Sequence, residues 1–101
     1  MNILIAAGSD YGSAQNAKHS SSHRVDVTDN SNKLLELLRE RNYERVVLDF
    51  NLVDVNFLKK LAQHYSGSLS LYNVGVSNTT NIEEACRGMN VRYVSSATDG
   101  I

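Results

Sequence analysis

The sequence predicts a three-layer α/β/α domain on a five-stranded parallel sheet of order 2-1-3-4-5. Two observations predict it. Short strand-like segments alternate strictly with helix-like ones along the chain, and parallel strands need such crossovers, which are right-handed. The segments at 3–7 and 46–48 are apolar at consecutive positions rather than alternate ones, the mark of a strand covered on both faces.

The opening MNILIAAGSD supplies the first strand, Ile3 to Ala7, which stops at Gly8-Ser9-Asp10. From Tyr11 to His23 only Tyr11, Ala14 and Ala17 sketch a helical stripe, which HSSSH dissolves, so a short helix with a polar end is expected. RVDVT at 24–28 alternates and reads as a brief edge strand. Asp29-Asn30-Ser31 offers N-cap chemistry to a helix carried by Leu34, Leu35, Leu37 and Leu38 and running to Asn42. The third strand is Glu44 to Phe50. After it, Asp54 precedes Phe57, Leu58, Leu61 and Tyr65, one apolar helix face ending at Ser66-Gly67. Ser68 to Val76 reads as the fourth strand. Thr80-Asn81-Ile82-Glu83 has the capping-box pattern of a short helix closed by Gly88, and Val91 to Val94 is the fifth strand. The tail SSATDGI has no helical pattern, so no fifth helix is expected after the fifth strand. The arrangement is flavodoxin-like, and in such sheets ligands sit beyond the carboxyl ends of strands 1 and 3, here Gly8-Ser9-Asp10 and Asp49.

At 101 residues the chain suits one domain, 1–101, with one modest core. Ten Lys and Arg against eleven Asp and Glu leave a formal charge of −1, too little field to hold nucleic acid or an anionic membrane directly. The run ILIAA is too short for a signal segment or a membrane span, and a lone cysteine, Cys86, permits no internal disulfide; both suit a cytoplasmic protein. There is no proline, against a usual ~5%, so Gly, Asn, Asp and Ser must make the turns.

Candidate chemistry is thin. Asp49 ends an apolar strand at a sheet rim, where carboxylates are functional candidates but are often simply solvated or capping. Asp54 is expected to cap the following helix. GSDYGSAQ, 8–15, is a glycine-containing strand-to-helix loop of the kind that cradles phosphate, although an ordinary tight turn is the simpler reading. His19 and His23 stand four apart, but no acid or cysteine completes a metal set, so no metal and no cofactor are expected. His64 is expected on an exposed helix face, Cys86 as a small buried hydrophobe on the short fourth helix, and the charges of LRERNYER as solvated ion-pairing residues.

VDVTDNSNKLLELLRERNYERVVLDFNLVD, 25–54, resembles a bacterial two-component receiver domain. It has that family's second strand, acidic turn, leucine-rich helix, tyrosine, and third strand ending in the phosphoacceptor aspartate, here Asp49; Val53 stands where a proline is usual. MNILIA suits the first strand and ACRGMNVRYV the fourth helix and fifth strand. The resemblance implies a Mg²⁺ held by two adjacent acids at the end of strand 1, a hydroxyl at the end of strand 4 and a lysine at the end of strand 5. The chain departs from each. The acid pair falls on Ala7 and Gly8 or Gly8 and Ser9, with Asp10 two residues late; the hydroxyl falls at Asn73 or Ser77; the lysine falls at Ser95 or Ser96, where a neutral serine cannot supply an ammonium's charge. The loop after Asp49 is also about three or four residues short and lacks the customary glycine.

These departures make Asp49 a remnant of the phosphoacceptor, with Asp10, Asn73, Ser95 and Ser96 as what is left of the pocket around it. The expected function is that of a degenerate, non-enzymatic receiver-like signalling module that acts through a protein partner or self-association. Its contact face is expected near Glu84, Arg87, Arg92 and Tyr93, and the sheet face without a last helix is expected to be bare or covered by another chain or a further segment. The alternatives are a phosphorylatable receiver with an atypical site at Asp49, a phosphate- or flavin-nucleotide-binding flavodoxin-like protein, and an anti-sigma-factor antagonist (STAS) domain, which VVLDFNLVD resembles in passing.

Overall fold

The computed structural model describes residues 1–8, 12, 14–16, 23–75, 77, 79–97 and 99. Five parallel strands, β1 (Asn2–Ala6), β2 (Arg24–Thr28), β3 (Arg45–Asp49), β4 (Ser68–Tyr72) and β5 (Asn90–Tyr93), form one sheet of order β2-β1-β3-β4-β5. The predicted order is the observed one. Its three described α-helices are α1 (Ser31–Glu40), α2 (Val55–His64) and α3 (Thr79–Ala85), and between β1 and β2 the described residues Gly12 and Ala14, Gln15 and Asn16 are helical.

β1 and β3 are central because Ile3, Leu4, Ile5, Val46, Val47 and Leu48 present apolar groups to both faces, and all six are fully buried. One face packs Leu4, Ala6, Val46, Leu48, Leu69 and Leu71 against Leu34, Leu58, Leu61 and Ile82 of the three helices. The other face packs Ile3, Ile5, Val47 and Tyr72 against Ala14 and Ala97. Polar residues set the helix ends. Asn30 Oδ1 accepts from the amides of Asn32 and Lys33 to start α1, and Asp54 Oδ1 accepts from the Phe57 amide at 2.8 Å to start α2. Gly88, at φ 89°, makes the left-handed turn after α3.

Several boundaries differ from the sequence reading. β4 ends at Tyr72 and not Val76, because Asn73 leaves extended geometry at φ 62°. α3 begins at Thr79, so Thr80 lies inside the first turn and does not cap it, and Cys86 sits in the turn just after α3. A 3₁₀ turn, Phe50–Leu52, intervenes before α2. The second sheet face is not bare. No α-helix occurs among the described residues after β5, yet Ile3, Ile5, Val47 and Tyr72 are buried, and the amino-terminal rows of β4 and β5 carry Ser68, Ser70, Asn90 and Arg92 on this face. Polar side chains there leave no large apolar patch to be hidden.

The edge strand β2 is tied to the segment after α1. Asp26 Oδ2 accepts from the Tyr43 hydroxyl at 2.6 Å and from Arg41 Nη1 at 3.0 Å. Partial burial pushes the Asp26 pKa up, but the Tyr43 hydrogen bond, the Arg41 charge and hydrogen bond and the Arg24 charge together outweigh it, so the carboxyl titrates below its ordinary 3.8. A depressed carboxyl contributes stability that is fully present above the unfolded-state pKa and is lost as pH falls through the folded-state one. Tyr43→Phe is therefore expected to cost about 1 kcal/mol near neutrality. That deficit should shrink as urea midpoints are measured toward strongly acidic pH; a deficit independent of pH would break the assignment.

Candidate functional site

Asp49 closes β3 and is 0% exposed. Its carboxylate accepts hydrogen bonds from three segments. Oδ2 accepts from the Gly8 amide at 3.2 Å, and Oδ1 accepts from the Asn51 amide and from Asn73 Nδ2, each at 2.9 Å. Each contact has a local cause. Gly8 follows β1, whose register with β3 brings the two carboxyl ends together. A Cβ at position 8 would lie 2.9 Å from Asp49 Oδ2, so any other residue there would force the carboxylate or the end of β1 to shift. Asn51 follows Asp49 by two residues, and the carboxylate caps the 3₁₀ turn as an Asx turn does. Asn73 follows β4, which pairs Tyr72 with Asp49, and its left-handed backbone, a conformation asparagine tolerates, accompanies the amide's bond to the carboxylate.

Of the predicted pocket, the structure brings Asn73 to Asp49, with β4 ending immediately before Asn73. The Ser95 hydroxyl donates to Asp99 Oδ2, and Ser96 Oγ accepts from the Asp99 amide at 3.4 Å. Asp10 lies outside the described residues, as do Ser9, Tyr11, Ser13 and His19, so the phosphate-loop and paired-histidine readings fall largely there. Gly8 and Asn51 were missed as ligands of the carboxylate. The Asp-x-Asn spacing at the end of β3 was a usable signal for the second.

The described residues do not fit a Mg²⁺ site. Among them no three His, Cys, Asp or Glu side chains gather to hold a metal, and where acids would be needed at the end of β1 stands an amide aimed at Asp49. A pocket of about 490 Å³ opens beside the loop, between Ser31, Asn51, Asp54, Phe57 and Lys60, and Asp49 is not in its lining. Cys86 is buried, and burial pushes its thiol up to about 11, which keeps it protonated and unreactive near neutrality. His64 is exposed at the end of α2.

The expected contact face divides. Glu84 and Arg87 are exposed on and just after α3, beside a groove of about 450 Å³ shared with Val55, Lys59 and Asn81. Tyr93, 40% exposed, pairs with Leu71 on the helical side of the sheet; burial and the nearby Glu83 charge raise its pKa. Arg92 pairs with Ser70, and because successive strand side chains alternate it lies on the opposite face from Tyr93.

No family model and no curated protein matches the sequence. Solved structures do match its backbone. The receiver domain of a sensor histidine kinase from Pseudomonas aeruginosa, determined with a magnesium ion coordinated in its active-site cleft, superposes with a TM-score of 0.73 at 15% identity, over 94% of this chain and 84% of that one. The signal receiver domain of an HD domain-containing protein from Pseudomonas fluorescens gives 0.73 at 15%, over 94% and 80%. The receiver domain of the TMAO respiratory system response regulator TorR gives 0.72 at 20%, over 94% and 82%. The chain has the receiver-domain fold. In this receiver-like domain Asp49 ends β3 at the carboxyl rim of the sheet, as the sequence resemblance implied. No helix among its described residues is long and apolar enough to cross a membrane.

Proposed function

We propose that this receiver-like domain is a signalling module that has given up phosphoryl transfer and works through protein contacts. The observation that carries this reading is the state of Asp49. A nucleophilic carboxylate needs a free oxygen, an approach path and a cation to neutralise the incoming phosphoryl group. Asp49 has no exposed surface, and both its oxygens hold N–H donors that fasten β1, β3 and β4 together. The carboxylate serves as a structural clasp. The described surroundings supply neither the acids for Mg²⁺ nor, at Ser95 and Ser96, a cation for the phosphoryl oxygens.

A module of this kind can bias an equilibrium only through a partner's differential affinity for its states. The exposed groups best suited to such contact are Glu84 and Arg87 beside the α2–α3 groove, with Tyr93 on the same side of the sheet and Arg92 on the other. The test is two-dimensional amide NMR with Mg²⁺ and beryllium fluoride, an acyl-phosphate mimic. The expected spectrum is unchanged. Shifts around Gly8, Asp49 and Asn73 that disappear in Asp49→Asn would establish a working phosphoacceptor and overturn the proposal.

A further inference from the structure

At the amino-terminal half of the second sheet face, in the two same-face rows that precede the row of Asp49 and Tyr72, the register sets polar residues side by side. Arg45, Ser68 and Asn90 are cross-strand partners in one row; Ser70 and Arg92 are partners in the next. Neighbouring strands lie about 4.8 Å apart, and same-face residues along a strand are about 6.6 Å apart, so these five side chains cover a patch that one small anion can span. They line a pocket of about 200 Å³ with Leu69 and Val91. That is room for an oxyanion and several waters, each of which takes about 30 Å³ in the liquid.

The chemistry of the lining is one-sided. It holds two guanidiniums, two hydroxyls and a carboxamide, and no carboxylate. Ser70 is only 2% exposed, a polar residue in the middle of a buried parallel strand where apolar side chains are the rule. Arg92 is exposed and forms no ion pair with any described residue. Arg45 has a partner of its own, so Arg92, Asn90, Ser68 and Ser70 are the donors available to a ligand, with Arg45 adding its charge. Guanidinium forks match the planar or tetrahedral oxygens of carboxylate and phosphate, and hydroxyls and amides complete their hydrogen bonds.

We infer that this pocket binds an oxyanion group, phosphate or carboxylate, carried by a small molecule, making the face opposite the three helices a ligand site independent of Asp49. Inorganic phosphate and, separately, citrate would be titrated into the isotopically labelled protein while amide shifts are followed. Saturable shifts confined to residues 45, 68–70 and 90–92 at millimolar anion are expected, weakened roughly tenfold in Arg92→Gln with the rest of the spectrum intact. Response to phosphate alone or to citrate alone would name the group, and either would support the site. Shifts that survive Arg92→Gln, shifts that map elsewhere, or no response to either anion would overturn it. None of these outcomes bears on the beryllium fluoride experiment, which reads Gly8, Asp49 and Asn73 at the carboxyl ends of the strands.

Discussion

Asp49→Ala is expected to lower the unfolding free energy by about 3 to 5 kcal/mol, a loss large enough to threaten folding of a domain this size. The substitution removes the acceptor from the Gly8 and Asn51 amides and from the Asn73 side chain at once, loosening the three segments that these part-buried hydrogen bonds join, and it leaves a cavity where a fully buried carboxylate stood. Asp49→Asn should cost less but still destabilise, because one of its two polar atoms becomes a donor facing donors. Urea unfolding of both variants measures this. A phosphoacceptor kept for chemistry, sitting in a solvated cleft, would tolerate either change within about 0.5 kcal/mol, and that result would show that the three hydrogen bonds do not hold the fold.

The second large effect is expected at Gly8. Gly8→Ala places a methyl group 2.9 Å from Asp49 Oδ2, inside normal contact, and must push the carboxylate off its donors or displace the end of β1; overpacking of this kind costs about 1 to 3 kcal/mol. Gly8→Asp adds a second negative charge against a buried first one and should cost more, with a lowered thermal midpoint that rises again in Asp49→Asn, Gly8→Asp, where the repulsion is gone. If Gly8→Asp were as stable as the parent, the close approach of amide and carboxylate would be incidental. The same variant also examines the departure from receivers directly: it restores an acid at the end of β1 while the Asn73 amide still occupies Asp49.

Much of the fold was legible because it rests on contiguous local patterns. Ile3 to Ala7 and Val46 to Leu48 declare buried parallel strands by being apolar at every position, and Asp54 and Asn30 declare helix starts by preceding periodic apolar residues. What failed was decided by tertiary contact. Tyr72-Asn73-Val74 reads as a strand continuing, and nothing within it announces that Asn73 turns left-handed with its amide on a carboxylate 24 positions away. Gly8 read as a missing acid, and its use appears only when β1 and β3 are set in register. The polar patch on the second face was not legible either: Ser70 and Arg92 stand 22 positions apart, and only the pairing of β4 with β5 sets them side by side.

The strand order also governs how the domain can reach its native state. Every ladder among the described residues is parallel, so none of them can start from a tight hairpin: Ile3 must find Val25 on one side and Arg45 on the other, and Val46 must find Leu69. Chain-entropy cost therefore precedes every row of sheet hydrogen bonds, which favours slow, late-committing folding over a rapid zippering from one end. During synthesis β1 emerges first, yet the Gly8 amide has no acceptor until β3 has been made, and the clasp at Asp49 takes its last donor only after β4. Closure of that clasp is thus a timing mark, separating a loosely assembled sheet from a committed one.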